Sequence, residues 1–326
     1  MASLELGHTL VIANPASRSG HGAHAAEHVQ RFFESYGNAT RSFDIEYTRA
    51  PLDAVEMAAQ AGGMDTIIAL GGDGVIHEVV NGLMAVDKRD RPRLGVIPVG
   101  SGNDFARTLN ATFNKPETSL AELLNGQVRR IELGNVVSDK EPRGIAGTEG
   151  NYFMETLSFG LDAAIALDTT KRRNDGTKQE GAALFATSSL KIFSKASDGF
   201  ACRLSLDGGE AQELRTIILA IQNGPTYGGG FRICPAAVPT DGLLSICHNT
   251  RTACVPHVLF LLALARFGKH TRSRIVKLPT CTHMSVEFMD TIPLCQIDGE
   301  ELTGSRYDVR VVPDALEVIV PSRCTW

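Results

Sequence analysis

What this sequence has little of already removes several classes of protein. It has no excess of basic residues: 32 Lys and Arg stand against 37 Asp and Glu, a formal charge of −5. That balance is too near neutral for general nucleic-acid binding, so no nucleic-acid partner is expected and any anionic ligand must be met by a local site. No CxxC pair occurs among the cysteines at 202, 234, 247, 254, 281, 295 and 324, and their number is odd. Thiols scattered in this way read as reduced core residues of a cytosolic protein rather than a disulfide framework. The longest apolar run, Val258 to Ala265, is far below the roughly 18–20 residues that a membrane span needs. The opening residues MASLELGHTLVIANP lack a basic stretch and a long apolar run, so neither a signal peptide nor a transmembrane segment is expected. A hydrophobic content of 43% excludes a disordered chain. At roughly 100–200 residues per domain, the length fits two domains.

Up to residue 133, short apolar runs alternate with helical patterns. His8–Ala13, Phe43–Tyr47, Thr66–Leu70 and Leu94–Pro98 are Val-, Ile- and Leu-rich and about strand length. Between them, Ala23–Ser35, Leu52–Ala61 and Val75–Val86 repeat apolar residues at helical spacing. This order predicts a parallel sheet covered by helices. Ser119 with Glu122 fits a capping box opening a further helix to Leu124, before Asn125-Gly126. Beyond a polar stretch at Ser138–Asn151 the pattern becomes extended: Asn151–Leu157, Phe200–Leu206, Leu214–Gln222, Leu243–Cys247, Ser285–Met289 and Pro293–Ile297. With the hairpin signal Asp207-Gly208-Gly209, these runs predict an antiparallel β-sandwich interrupted by a helix near Pro256–Phe267. Lys171–Gln179 reads as a surface loop.

Three strands of the first half end in polar or glycine-rich loops: Asn14-Pro15-Ala16-Ser17-Arg18-Ser19-Gly20, Gly71-Gly72-Asp73-Gly74, and Gly100-Ser101-Gly102-Asn103-Asp104. In a parallel sheet such loops gather at the carboxyl ends of the strands, where ligands bind. Glycine lets the backbone approach phosphate oxygens, and each following helix offers free N–H groups. One such loop is as readily a plain tight turn; three in succession point to a nucleotide. Neither GxxxxGK[ST] nor GxGxxG is present, so no P-loop or usual dinucleotide fold is indicated. Asp73 and Asp104 fall where phosphate is expected. A bare carboxylate about 4 Å from a phosphate charge costs on the order of 4 kcal/mol at an effective dielectric of 20. Mg²⁺ between them resolves the conflict, although either acid taken alone could also cap the next helix.

The segments NPASRSG, GGDGVIHEVVNGL and IPVGSGNDFARTL, followed by RRIELGNV (129–136), NYFMETLSFGLDA (151–163), GGGFRICPAAVPTDGLLSI (228–246) and IDGE (297–300), resemble in order and spacing the diacylglycerol kinase catalytic-domain family, which includes bacterial lipid kinases and is related to sphingosine kinases. The resemblance implies an α/β nucleotide-binding domain over 1–133 with a returning segment 307–326, and a C-terminal antiparallel β-sandwich over 134–306. It implies an ATP-dependent lipid kinase acting in phospholipid metabolism, with a diacylglycerol-like or sphingoid acceptor. Asn14, Pro15, Ala16, Ser17, Arg18, Thr48, Gly71, Gly72, Asp73, Gly74, Val75, Ile76, His77 and Ser101 would surround ATP. Asp73, Asp104 and Glu132 would form the carboxylate network around catalytic Mg²⁺. Asp241, with the carbonyls of Val238 and Leu243, matches a structural Mg²⁺ site, and Glu300 the proton acceptor for the lipid hydroxyl. The implied setting is the cytoplasm with peripheral contact at the inner face of the membrane, and a homodimer is compatible with it.

The sequence departs from the family pattern at Val75, where a hydroxyl is usual, at Ser101 in place of threonine, and at Glu132 in place of aspartate. By themselves, Asp298-Gly299-Glu300 and Asp241-Gly242 read first as ordinary turns. His21, His24 and His28 share a helical face and read as solvated. An NAD kinase-like enzyme, which also uses a GGDG loop, and a catalytically weak nucleotide- or lipid-binding regulator are the alternatives. The apolar run at 258–265, followed by Arg266, Lys269, His270, Arg272, Arg274 and Lys277, fits a helix resting on anionic lipid as well as one packed on the sandwich.

Overall fold

The structure, a computed structural model, describes residues 4–36, 39–174, 179, 183, 187–188, 192, 199–251 and 254–326. The chain divides into two units: Met1–Leu133 with Arg143–Tyr152 and Pro313–Trp326, and Gly134–Pro142 with Phe153–Val312.

The first unit is built on the parallel strands β1 (His8–Ala13), β2 (Ser42–Tyr47), β3 (Thr66–Gly71) and β4 (Arg93–Pro98) in the order β2-β1-β3-β4. β3 is buried along its whole length, and β1 and β4 are buried except at their first residues. Their continuous apolar character is what a strand covered on both faces requires. β2, half-exposed throughout, is the edge. Register runs without slip from Thr9 opposite Thr66 to Ala13 opposite Leu70, and from Thr66 opposite Arg93 to Gly71 opposite Pro98. Beside β4 lies the end of the long strand Arg306–Val320, with Val318 opposite Leu94.

Around this sheet stand α1 (Ser17–Ser35), α2 (Asp53–Ala59), α3 (Asp73–Ala85), α4 (Asp104–Thr108) and α5 (Pro116–Leu124). A Cβ on Gly82 would come within 2.3 Å of the Val55 carbonyl oxygen, so α2 and α3 pack nearly backbone to backbone. The expected capping box is absent. Pro116 starts α5 a turn earlier, the Ser119 hydroxyl donates to the carbonyls of Thr112 and Lys115, and Glu122 accepts from the Thr112 amide and hydroxyl. The segment Arg143–Tyr152 belongs to the first unit rather than the second because Asn81 holds it. The Tyr152 amide donates to Asn81 Oδ1 at 2.9 Å, and Asn81 Nδ2 donates to the Tyr152 carbonyl at 3.0 Å. Residues 307–312, expected with the first domain, lie in the second unit, where Arg306 to Arg310 pair antiparallel with Glu287 to His283.

The second unit contains two antiparallel arrangements. In one, Arg306–Arg310, His283–Phe288, Phe200–Leu206 and Gln212–Thr216 lie side by side. In the other, Leu244–Asn249, Ile218–Gln222, Thr156–Gly160, Cys295–Ile297 and Glu300–Glu301 do so. Alternate residues of both contribute to one core in which the Phe159 ring lies 4.8 Å from Tyr307 and 5.1 Å from Phe288. Burying each such ring stabilises the fold by roughly 1.5–3 kcal/mol. Two extended runs are shorter than expected. Met154 and Glu155 separate Asn151–Phe153 from Thr156–Gly160, and Ile217 divides the run through Gln222. Lys171–Asn174 closes a helix begun at Leu161 instead of forming a loop, and 175–178 lie outside the described residues. Six cysteines are buried, and Cys254 is exposed. Burial pushes the thiols of Cys202, Cys247 and Cys281 up to about 12, consistent with inert core residues.

Candidate functional site

In the first unit the strand order reverses between β1 and β3: the chain goes outward from β1 to β2 and then crosses back to β3. In an open α/β sheet the crevice for a ligand opens at such a reversal, beyond the carboxyl ends of the two strands. The loops that leave those ends are the first two glycine-rich segments. At the first, Asn14 Oδ1 accepts the Ala16 amide at 3.0 Å. Arg18, Ser19 and Gly20 then follow in the left-handed region (φ 48°, 56° and 93°) before the regular part of α1. A side chain on Gly22 would lie 2.1 Å from the Asn14 carbonyl oxygen, so the helix returns tightly over its own loop. At the second, a Cβ on Gly71 would meet Val75 Cγ1 at 2.4 Å and Ser17 Oγ at 2.9 Å. Thr48 is placed beside the same edge by its amide, which donates to the Ala13 carbonyl at 2.9 Å.

The third loop closes on the second. A Cβ on Gly100 would stand 2.7 Å from the Gly72 Cα, so these loops touch through glycine backbone. A Cβ on Gly102 would stand 2.7 Å from Asp73 Oδ2 and 3.4 Å from Asp104 Oδ2. The two expected acids therefore aim an oxygen each at one small volume. Asp73 Oδ1 also accepts the Phe105 amide at 3.3 Å, and Arg107 Nε lies 3.9 Å from Asp104 Oδ1 while donating to the Gly102 carbonyl. Arg107 stacks over Phe113 at 4.5 Å, which fixes its guanidinium there. Hard carboxylate oxygens converging at the start of α3, where N–H groups and the helix dipole favour phosphate, are a donor set suited to Mg²⁺ and a polyphosphate together.

Other expected residues are placed differently. The Val75, Ile76 and His77 side chains are buried, and the Ile76 amide donates to the Gly72 carbonyl, so at the start of α3 the accessible residues are Asp73 and Gly74. Ser101 is half-exposed on the third loop. Glu132 is buried on the strand Gln127–Ser138. His21 and His24 are solvated, as expected of that helical face, whereas His28 is half-buried with Nδ1 3.9 Å from Glu117 Oε1. Asn81 and Arg107 carry no signal in the loop pattern. A polar residue one turn beyond His77, flanked by the buried Val79, Val80 and Leu83, is the available signal for Asn81.

In the second unit Asp298 and Gly299 form a hairpin turn with positive φ at both residues (47° and 100°). Asp298 accepts the backbone amides of Met154, Glu155 and Thr156 at 2.9–3.1 Å. The turn is thereby tied to the neighbouring strand, and Glu300 emerges from it exposed, opposite Ile297. Gln296 bridges the base of the turn, accepting the Gly299 amide and donating to Ser158. Asp241 is exposed and accepts the Leu243 amide at 3.0 Å, so one of its oxygens closes the turn that holds Val238 and Leu243 nearby in the chain. Apart from these, an apolar cavity of about 80 Å³ lies against the helix Val255–Ala265, walled by Ile165, Ile217, Leu261 and Leu262 among others. Asp162 stands in its wall. Burial pushes this carboxyl up to about 7, and Tyr227 donates to it at 3.2 Å. His270 borders the same cavity, donating Nε2–H to the Ile233 carbonyl, and burial lowers its basicity.

Residues 8–136 match the diacylglycerol kinase catalytic domain, and residues 155–320 match the YegS C-terminal NAD kinase beta sandwich-like domain. The chain therefore belongs to the diacylglycerol kinase catalytic-domain family of kinases, and within it carries the YegS-type sandwich. Among curated relatives, a "Probable lipid kinase YegS-like" of Yersinia enterocolitica is 27% identical over 266 residues, 82% of each chain. A crystal structure of a diacylglycerol kinase from Bacillus anthracis superposes with a TM-score of 0.71 at 17% identity, covering 98% of both chains. An NAD kinase from Archaeoglobus fulgidus in complex with ATP shares the fold more distantly, with a TM-score of 0.54 at 13% identity over 97% of this chain and 93% of that one.

Proposed function

We propose that this chain is an ATP-dependent lipid kinase that moves the γ-phosphate of ATP to the hydroxyl of a diacylglycerol-like acceptor. The observation that carries the reading is the convergence of Asp73 and Asp104 at Gly102, beside the start of α3, in a chain of this family. Such acids oppose a phosphate unless a cation joins them. The residues suited to hold Mg²⁺ are Asp73 and Asp104, with Glu132 as a further acid of the same unit; Asp241 with the carbonyls of Val238 and Leu243 would hold a second, structural ion. When bound, the metal would neutralise charge on the phosphates.

The chain's own residues would do the rest. Asn14 to Arg18, Thr48, Gly71 to Val75 and Ser101 would bind and orient the triphosphate through backbone amides and short side chains, with Ile76 and His77 packing behind them. Glu300, exposed at the turn, would accept the proton of the lipid hydroxyl as its oxygen bonds to the γ-phosphorus and the bond to the β-phosphate oxygen breaks, releasing ADP. The apolar cavity beside Val255–Ala265 would take hydrocarbon of the acceptor, which a dinucleotide lacks.

The test is transfer of labelled γ-phosphate from Mg-ATP to a panel of diacylglycerol, sphingoid base and NAD, each presented in detergent micelles, with products identified by mass. Label in phosphatidate is the expected result. Label in a sphingoid phosphate would change the acceptor; label in NADP, or none at all, would overturn the assignment.

A further inference from the structure

The helix Val255–Ala265, VPHVLFLLALA, carries no charged residue, yet of its 11 residues Ala265 alone is buried. A helix apolar on all sides belongs in a core or in lipid, and this one is at the surface and too short to span a bilayer. Its two faces differ. Val258, Leu261, Leu262 and Ala265, at helical spacing, wall the apolar cavity. On the outside, Pro256, Phe260 and Ala263 form an exposed ridge that Phe267 continues past the helix end, with Phe260 59% and Phe267 70% exposed.

The stretch of chain that carries this ridge has charged side chains of one sign. No Asp or Glu occurs from Gly242 to Val286, a span that holds Arg251, Arg266, Lys269, Arg272, Arg274 and Lys277 in a chain of net charge −5. Of these, Arg266 is engaged inward, donating to the Gly230 carbonyl, and the other five are exposed. A second copy of the same surface would be a poor partner, because two-fold pairing of a patch with itself sets its cations against each other. Apolar side chains between cations, on a stretch of chain without acids, complement the headgroup region of an anionic bilayer instead.

We propose that the ridge Pro256, Phe260, Ala263 and Phe267 seats in the interface of an anionic membrane, with the basic residues at 251 and 269–277 on lipid phosphates. This deepens the lipid-kinase reading and rests on it for the reason to visit a membrane. The helix would then stand with bilayer on one side and the apolar cavity on the other, a short route for an acceptor whose tails never enter water.

The full chain is tested by sedimentation with vesicles of phosphatidylcholine, with or without phosphatidylglycerol, free of acceptor lipid and ATP. Cys254, the exposed thiol at the start of this helix, carries an environment-sensitive fluorophore as a second readout. Binding to the phosphatidylglycerol vesicles with a blue shift of the probe is expected. Phe260→Glu with Phe267→Glu should lower the bound fraction about tenfold or more, and Arg272→Gln with Arg274→Gln should lower it similarly and flatten its salt dependence. All four positions are exposed, and unchanged circular dichroism verifies that the variants fold. Wild-type protein indifferent to phosphatidylglycerol, or a Phe260→Glu, Phe267→Glu variant that binds as well, overturns the proposal. So does a dimer that Phe260→Glu converts to monomer without vesicle binding, which would give the ridge to a second copy. Vesicle binding without phosphoryl transfer to any micellar acceptor would remove the lipid-kinase reading and leave the membrane surface standing.

Discussion

Asp73 and Asp104 in the first unit each turn an oxygen toward the same point above Gly102, whereas Asp298 in the second covers its carboxylate with three backbone amides. Asp207 resembles Asp298: in the hairpin Asp207-Gly208 its Oδ1 accepts from the amides of Thr282 and His283. Sequence writes all of these as an acid beside a glycine or asparagine in a tight loop. An acid saturated by amides fixes where a loop lies, whereas two acids that converge, with Arg107 beside one of them, make a donor set that a divalent cation fits. In IDGE the two roles sit two residues apart, Asp298 as the staple and Glu300 as the exposed group it presents.

That division gives the largest expected effects. Glu300→Gln should lower phosphoryl transfer by about 10²–10⁴-fold, the usual worth of a general base, while Tm and ATP affinity stay at wild-type values because the side chain is exposed. Asp298→Asn should do the reverse in kind. The new amide nitrogen faces donors, so stability should fall by roughly 2–3 kcal/mol, read as a lower denaturation midpoint, and activity should fall only as the turn loosens. Turnover by Glu300→Gln, or an unchanged midpoint for Asp298→Asn, would break the contrast.

Asp162 is a third kind of acid, buried against an apolar cavity with its carboxyl pushed up to about 7. Because the folded value is above the ordinary 3.8, the folded state holds a proton that the unfolded state has released, and stability declines as pH rises between the two values, then levels off. Asp162→Asn removes that dependence. Its melting temperature should exceed wild type at about pH 8, by an amount equivalent to roughly 4 kcal/mol, with the gain vanishing toward about pH 4. A pH-independent difference would show that Asp162 does not titrate in this range.

The strands of the first unit were legible because interior parallel strands are unbroken apolar runs, as Thr66–Gly71 is. The three loops were legible as glycine between strand and helix. Their mutual contact was not, since nothing local says that Gly100 meets Gly72 or that the chain crosses back between β2 and β3. Ser119 and Glu122 misled because a capping-box spacing also occurs inside a helix that Pro116 starts a turn earlier. The bond from Asn81 to Tyr152 and the cavity beside Asp162 join residues about 70 positions apart in sequence. Pattern reading within a window of 11–18 residues has no access to such pairs.

The contact between glycine loops can be sharpened by a pair of equal insertions. A methyl on Gly100 meets the Gly72 backbone, which cannot yield, and Gly100→Ala should cost roughly 1–3 kcal/mol of stability. A methyl on Gly102 meets carboxylate tips, which can swing away. Gly102→Ala should therefore melt close to wild type while needing more Mg²⁺ to bind ATP, measured by titrating nucleotide binding against the metal. Equal thermal losses for the two would mean that Asp73 and Asp104 are held as rigidly as backbone.

The smallest effect concerns Val75, where the family usually has a hydroxyl. Its Cγ1 occupies the space that a side chain on Gly71 would claim, and the residue is buried. At this position a methyl packs against the bend of the second loop, and the first-turn amides of α3 remain available to phosphate whether or not a hydroxyl is near. Val75→Thr should consequently lower stability by about 1 kcal/mol, the cost of a buried hydroxyl that finds at best a partner in its own helix, and leave the KM for ATP unchanged. A fall in KM or a rise in kcat would mean that the hydroxyl reaches the phosphates and that valine is here a brake on the reaction rather than a packing residue.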